Sequence, residues 1–185
     1  MIENNTLWKV DLRRFKDEFT KYNTIEHLKT EDDHAFDYLQ RAVFYTAFII
    51  RKLIDSPGTV SDAVDNYKLN IYTYKPKDRI DVLNSVPDKY SHDWEHPQSI
   101  VKSAKEVCNW LIHSFSFQFS VDDNGIANGF VVSSDRDKNS ELYHVKIEDW
   151  FSYIDYVISD TIPHIHIEYS EKKGECIYTN KERGR

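Results

Sequence analysis

The chain has 185 residues, 24 Lys+Arg against 31 Asp+Glu, a net charge of −7, two Cys and only five Gly. Apolar residues at 40% and aromatics at 14% supply a core and exclude wholesale disorder. The shortage of glycine, with neither GxGxxG nor GxxxxGK(S/T) present, excludes a glycine-rich phosphate loop or dinucleotide fold, and the acidic balance disfavours non-specific nucleic-acid binding. Two Cys are too few for a disulfide framework, and the start, MIENNTLWKV, has neither a basic n-region nor an apolar h-region. The longest apolar run, Ala42 to Ile50, is broken by Thr46 and falls short of the ~20 residues that span a bilayer. A cytoplasmic protein without membrane association is the expectation.

Leu12, Phe15, Phe19 and Tyr22 recur at helical spacing behind Asp11, which reads as the cap of a first short helix. The clearest helix follows over about 31–54. There Phe36, Leu39, Val43, Ala47, Ile50 and Ile54 step by 3, 4, 4, 3 and 4, and Phe44, Phe48 and Leu53 widen the apolar face. Asp32 and Asp33 at its start and Arg51 and Lys52 at its end complement the helix dipole, and Ser56-Pro57-Gly58 stops it. Val60 to Tyr67 suggests a further helical turn or two, and Leu69 to Tyr74 a strand closed by Pro76. From Lys75 to His96 no period holds, and a loop of that length is more often functional than decorative. Pro97 fits a first helical position, so a second helix is expected over about 97–113.

At Ser114 the period changes to two. SFSFQFSV places Phe115, Phe117, Phe119 and Val121 on one face, and Asp122-Asp123-Asn124-Gly125 turns the chain into a return strand over Ile126 to Ser133, with a bulge expected at Gly129. A third strand over Glu141 to Ile147, a short helix over about 148–159, a fourth strand from His164 to Tyr169 and a last one over Cys176 to Thr179 follow. Asn180 to Arg185 read as a loose tail. The sum is one α+β domain over 1–185. A helical part, 1–113, packs on an antiparallel β-rich part, 114–179, and the phenylalanines of Ser114–Val121 face the long helix.

Three groups of residues are candidates for chemistry. Asn109 and His113 lie one turn apart on the same helix face, with the Ser114 hydroxyl following. They either converge on a ligand where helix meets sheet or form a solvated polar stripe. His164, His166 and Glu168 alternate along a strand and so share a face, the pattern that begins a metal site, with His144 on a neighbouring strand as a possible fourth group. A half-exposed strand explains them equally well. His92, Trp94 and His96 in the long loop form a third, ligand-binding group, with Trp94 holding the loop down.

The first group resembles the signature of the HEPN superfamily, helical ribonucleases found among small bacterial phage-defence and toxin proteins: an Arg, a polar residue such as Asn, then His after a short spacing. Asn109 and His113 match the polar residue and the His, over a region spanning the two longest helices, and Cys108 stands where the family has its Arg. The resemblance implies a helical bundle and RNA cleavage at Asn109 and His113. Arg41, Arg51 and Lys52 of the long helix are the cations available to replace the missing Arg.

The residues read on their own point to a non-catalytic binding or interaction module, because twelve Tyr and four Trp exceed what one core readily buries and such side chains favour partner surfaces. Free sheet edges make self-association into a homodimer plausible as an alternative to another protein partner. The HEPN-like ribonuclease at His113 and Asn109 and a metal-dependent enzyme at His164, His166 and Glu168 are the rival readings. The expectation for cofactors is none.

Overall fold

The computed structural model describes residues 5–29, 34–162 and 164–184. The helices are α1 (Thr6–Tyr22), α2 (Ile25–Lys29), α3 (Ala35–Asp55), α4 (Asp62–Asp65), α5 (Ala104–Ile112) and α6 (Ile147–Ile158). The strands are β1 (Lys68–Tyr74), β2 (Gln98–Ser103), β3 (Ser114–Val121), β4 (Ala127–Ser134), β5 (Leu142–Lys146), β6 (His164–Ser170) and β7 (Glu175–Glu182). The class is α+β. Five strands form one sheet in the order β2-β1-β5-β4-β3, every neighbour antiparallel, and β6 and β7 form a separate hairpin.

The register assigns the faces. Thr73, Tyr143, Val132 and Phe117 stand opposite one another across four strands, and the alternate row is Tyr72, His144, Val131 and Gln118. The first row and its neighbours Phe130, Val145 and Ile71 join the core that the helices bury. Phe117 meets Phe44 of α3 at 4.9 Å between ring centroids, and Phe119 meets Phe19 of α1 and Phe36 of α3 at 6.0 and 6.1 Å. The expected docking of β3 on the long helix is what the rings show. Phe130 sits beneath them, fully buried, with the fully buried Trp150 of α6 edge-on at 6.1 Å. The Trp150 indole N–H is satisfied by the Thr46 hydroxyl of α3 at 3.2 Å, so this large ring is buried without stranding its donor.

Several boundaries differ from the sequence reading, each for a local reason. The expected helix over 97–113 begins only at Ala104. Residues 98–103 pair with β1, and the true start is a capping box in which the Ser103 hydroxyl accepts from the Glu106 amide while the Glu106 carboxylate accepts from the Ser103 amide. The part read as mainly helical, 1–113, therefore supplies two strands of the main sheet, β1 as expected and β2 against expectation. Asp11 lies inside α1 and pairs with Arg14 at 3.2 Å, so it caps nothing. Register shifts at both ends of β3 take Phe115 and Val121 out of the Phe117–Phe119 row; Phe115 lies under the Lys138 ammonium at 3.8 Å and Val121 is half exposed. The supposed loose tail is strand as far as Glu182. Asp32 and Asp33, read as the start of the long helix, lie outside the described residues.

The end of β7 is tied to the helices through Asp160, whose carboxylate is buried. It accepts from the Ser61 amide at 2.8 Å and the Ser61 hydroxyl at 2.6 Å, and the Arg183 guanidinium approaches at 3.6 Å while lying over the Tyr156 ring at 3.5 Å.

Phe130→Ala is expected to cost about 3–5 kcal/mol, as large aromatic truncations in a closed core do. For a chain of this size that lowers Tm by about 10 °C. Phe117→Ala, at a half-buried position, is expected to cost less. Thermal melts check the order, and a Phe130→Ala protein that melts like wild type contradicts the packing described.

Candidate functional site

The groove between the C-terminal end of α3 and α5 holds the strongest polar constellation. Cys108, Trp110 and Leu111 turn one side of α5 into the core, which leaves Glu106, Asn109 and His113 along the other. Arg51 reaches across from α3, and its Nε donates to the Asn109 side-chain oxygen at 2.8 Å. Its Nη1 pairs with Asp55 one turn further along α3. His113 terminates α5, its amide donating to the Asn109 carbonyl at 3.0 Å, and its side chain is exposed. Arg51, Asn109 and His113 thus meet where two cavities adjoin. One, of about 780 Å³, is lined by these three with Trp110, Tyr143 and Ser134; the other, of about 250 Å³, runs on past Lys52, Asp55 and Ile112.

The turn after β4 closes the larger cavity. The Ser134 hydroxyl donates to Asp137 at 2.8 Å, the Lys138 amide donates to the Ser134 carbonyl at 2.9 Å, and the Asp135 amide donates to the His113 carbonyl at 3.3 Å, fastening the turn to the end of α5. Charges on the lining are mixed. Lys102 is paired with Glu106 at 3.1 Å, and Asp135 with Lys138 at 2.7 Å. Arg136, exposed on the turn, has no acidic partner among the described residues.

The floor of the cavity is aromatic. Trp110 and Tyr143 are parallel to within 2° with centroids 3.6 Å apart, and each is 7% exposed. Burial, followed by the carboxylates of Asp137, Glu141 and Glu106, pushes the Tyr143 phenol up to about 12, so it remains a protonated donor at neutral pH. Burial and the hydrogen bonds of the capping box act in opposite directions on Glu106. The bonds from the Ser103 amide, Lys102 and the Ser103 hydroxyl outweigh burial and hold its carboxyl below the ordinary range.

Of the residues singled out from sequence, Asn109 and His113 come together here and Ser114 does not. Ser114 pairs with Ser134 across the β3–β4 ladder, and Ser134 lines the cavity instead. Cys108 is fully buried, and burial pushes its thiol strongly up, so the position of the family's Arg points into the core. The cation beside Asn109 comes from Arg51, on a different helix. In the loop, His92 is buried, bonded through Nδ1 to the Ser91 hydroxyl at 2.8 Å and, because of burial, held below its usual pKa, whereas His96 is exposed and pairs with Asp93 at 3.0 Å. Trp94 packs on Tyr74 at 4.7 Å, as a residue holding the loop down would. This loop is absent from the lining of the Arg51–His113 cavity.

His166 and Glu168 are exposed on β6, and the side chain of His164 lies outside the described residues. β6 pairs only with β7, so His144 on β5 is not their neighbour as expected. Among the described residues no three His, Cys, Asp or Glu are grouped to hold a metal ion. His144 instead bonds the Ser120 hydroxyl at 2.9 Å across Gly129, where a Cβ would meet the His144 Nε2 at 2.5 Å and the Ser120 Oγ at 2.6 Å. The bulge expected at Gly129 falls one residue earlier: Gly129 pairs with Ser120 and Lys146, the register shift leaves Asn128 as the extra residue, and the glycine is what lets the Ser120 and His144 side chains touch.

Compared with protein-family profiles, curated proteins and solved structures, the chain finds no match. No helix among the described residues is long and apolar enough to cross a membrane.

Two outcomes are expected. Cys108→Arg, which restores the family residue, leaves a charge in the core at a cost of several kcal/mol, and the variant should lose its cooperative melt; a folded Cys108→Arg protein contradicts the orientation of α5. Glu106, with a carboxyl depressed in the folded state, adds stability above its unfolded pKa of about 4.3, and this is lost as pH falls through the lower folded value. The gap in Tm between wild type and Glu106→Gln should therefore be widest above about pH 5 and close toward pH 3. A gap that widens on acidification contradicts the assignment.

Proposed function

We propose that the protein is a binding module whose site is the cavity along α5, and that it takes a ligand bearing a phosphate group. The carrying observation is the 2.8 Å bond from Arg51 to Asn109 beside His113. The bond fixes the guanidinium and orients the Asn109 side chain, whose Oδ1 accepts from Arg51 while its NH2 group remains a donor. Arg51, Asn109 and His113 all line both adjoining cavities, and a guanidinium, a side-chain amide and an imidazole are hydrogen-bond donors of the kind that suit a phosphate oxygen. Arg136 faces the same space from the turn. A cavity of about 780 Å³ is within the size range of small-molecule sites.

The same observation supports a second reading. The HEPN resemblance lacks its Arg at Cys108, and Arg51 supplies a cation next to the matched Asn109 and His113. On this reading RNA is cut, with His113 moving the proton and Arg51 stabilising charge on the phosphate. The acidic net charge of −7 favours the binding reading, since long nucleic acid is repelled on average.

Calorimetric titration with inorganic phosphate is expected to give a Kd on the order of 1 mM or tighter. Arg51→Gln, which loses a charge-assisted bond of about 1.5–3 kcal/mol, should weaken it at least tenfold. His113→Ala and Asn109→Ala should weaken it while leaving Tm within a few degrees. Absence of phosphate binding by the wild type contradicts the proposal. RNA cleavage that His113→Ala and Arg51→Gln both abolish would establish the second reading in its place.

A further inference from the structure

Beyond the phosphate-sized corner, the cavity wall carries two polar atoms of buried side chains that lack protein partners. Trp110 and Tyr143 are each more than nine-tenths buried and both line the cavity. Neither the Trp110 Nε1 nor the Tyr143 hydroxyl has a hydrogen-bond partner among the described residues, and neither is sealed from solvent, since the Glu141 Oε2 alone is both buried and unpartnered there. A buried indole N–H or phenol ordinarily finds a partner, as Trp150 does in Thr46 and Tyr153 in the Val64 carbonyl at 3.1 Å. Two such donors stacked side by side on the wall of a cavity are the mark of a subsite that reads oxygen acceptors.

The charge of the neighbourhood narrows the ligand. Around Tyr143 stand Asp137, Glu106 and Glu141. Both Glu106 oxygens are occupied, by Lys102 and by Ser103, and one Asp137 oxygen is taken by Ser134. The carboxylates around Tyr143 disfavour a second phosphate there, and Asp137 keeps one oxygen to accept from a hydroxyl. Arg51, Asn109 and His113 line the donor-rich part that adjoins the smaller cavity. Glu106 and His113 are separated by roughly 10 Å along the helix at 1.5 Å per residue, and about 780 Å³ is far more than one phosphate fills.

Resting on the phosphate site proposed above, we infer that the ligand is a monophosphorylated sugar, its phosphate at Arg51, Asn109 and His113 and its neutral hydroxyls at Trp110, Tyr143 and Asp137. The experiment is calorimetric titration of the full chain with three probes: inorganic phosphate, ribose 5-phosphate and ribose. Ribose 5-phosphate is expected to bind at least tenfold more tightly than phosphate. Tyr143→Phe, which keeps the stacked ring and removes one hydroxyl, should cut the ratio of the two affinities about tenfold, and Trp110→Phe should lower it as well. Arg51→Gln should weaken both probes. The inference is overturned if ribose 5-phosphate binds no better than phosphate, or if Tyr143→Phe, shown to be folded by its melt, leaves the ratio unchanged. Tight binding of ribose alone overturns the placement of the phosphate at Arg51. If neither phosphate nor ribose 5-phosphate binds, the underlying site reading falls and this inference with it.

Discussion

The site depends on how α3 lies against α5. Ala47, Ile50, Leu53 and Ile54 of α3 and Val107, Cys108 and Leu111 of α5 belong to one buried cluster, and interiors packed to this density tolerate little sliding. With the apolar sides of both helices turned inward, the residues just beyond the seam are brought level with each other, and those residues are Arg51 and Asn109. The position of the guanidinium is thus a consequence of core packing several residues away. Small shifts of α3 move the cation off the amide, so the geometry of the groove is coupled to the stability of the core beneath it.

The sheet performs the complementary task. Its inner row, Thr73, Tyr143, Val132 and Phe117, places a tyrosine under the end of α5, where Trp110 closes on it face to face. The face-to-face contact keeps the polar atoms of both rings at a fixed place on the cavity wall. The turn after β4 supplies the remaining wall and is clipped to the His113 carbonyl through the Asp135 amide. Three separate parts of the chain therefore close one cavity: the end of α3, the exposed side of α5, and the β4–β5 turn with its flanking strands.

Much of this frame is legible in the sequence because it rests on periodicity. The 3-and-4 spacing of α3 and the strict alternation of SFSFQFSV identify the two elements whose aromatic faces meet, and Asn109 with His113 is visible as a one-turn pair. The β2 segment was hidden because Pro97 fits a first helical residue, whereas the decisive signal was local: Ser103 with Glu106 three residues later, a capping box that dates the helix start to Ala104. Arg51 was legible only as one of several cations on α3. Its pairing with Asn109 spans 58 positions in the chain and is settled by packing, which no window of sequence contains. Tyr143 and Trp110 carry no motif at all; each looks like core, and only the register of β5 and the wheel of α5 bring them together. The Ser120–His144 contact was likewise invisible, although Gly129, the residue that permits it, stood out as a bulge.

The direct test is a two-dimensional proton–nitrogen NMR titration with inorganic phosphate that follows side-chain signals. The account predicts that the Arg51 Nε–H and the Asn109 side-chain amide shift together with the His113 imidazole and saturate along one binding curve, while the His166 imidazole on the β6–β7 hairpin stays still. Shifts confined to that hairpin, or Arg51 and Asn109 signals that do not move while phosphate binds elsewhere, would contradict it.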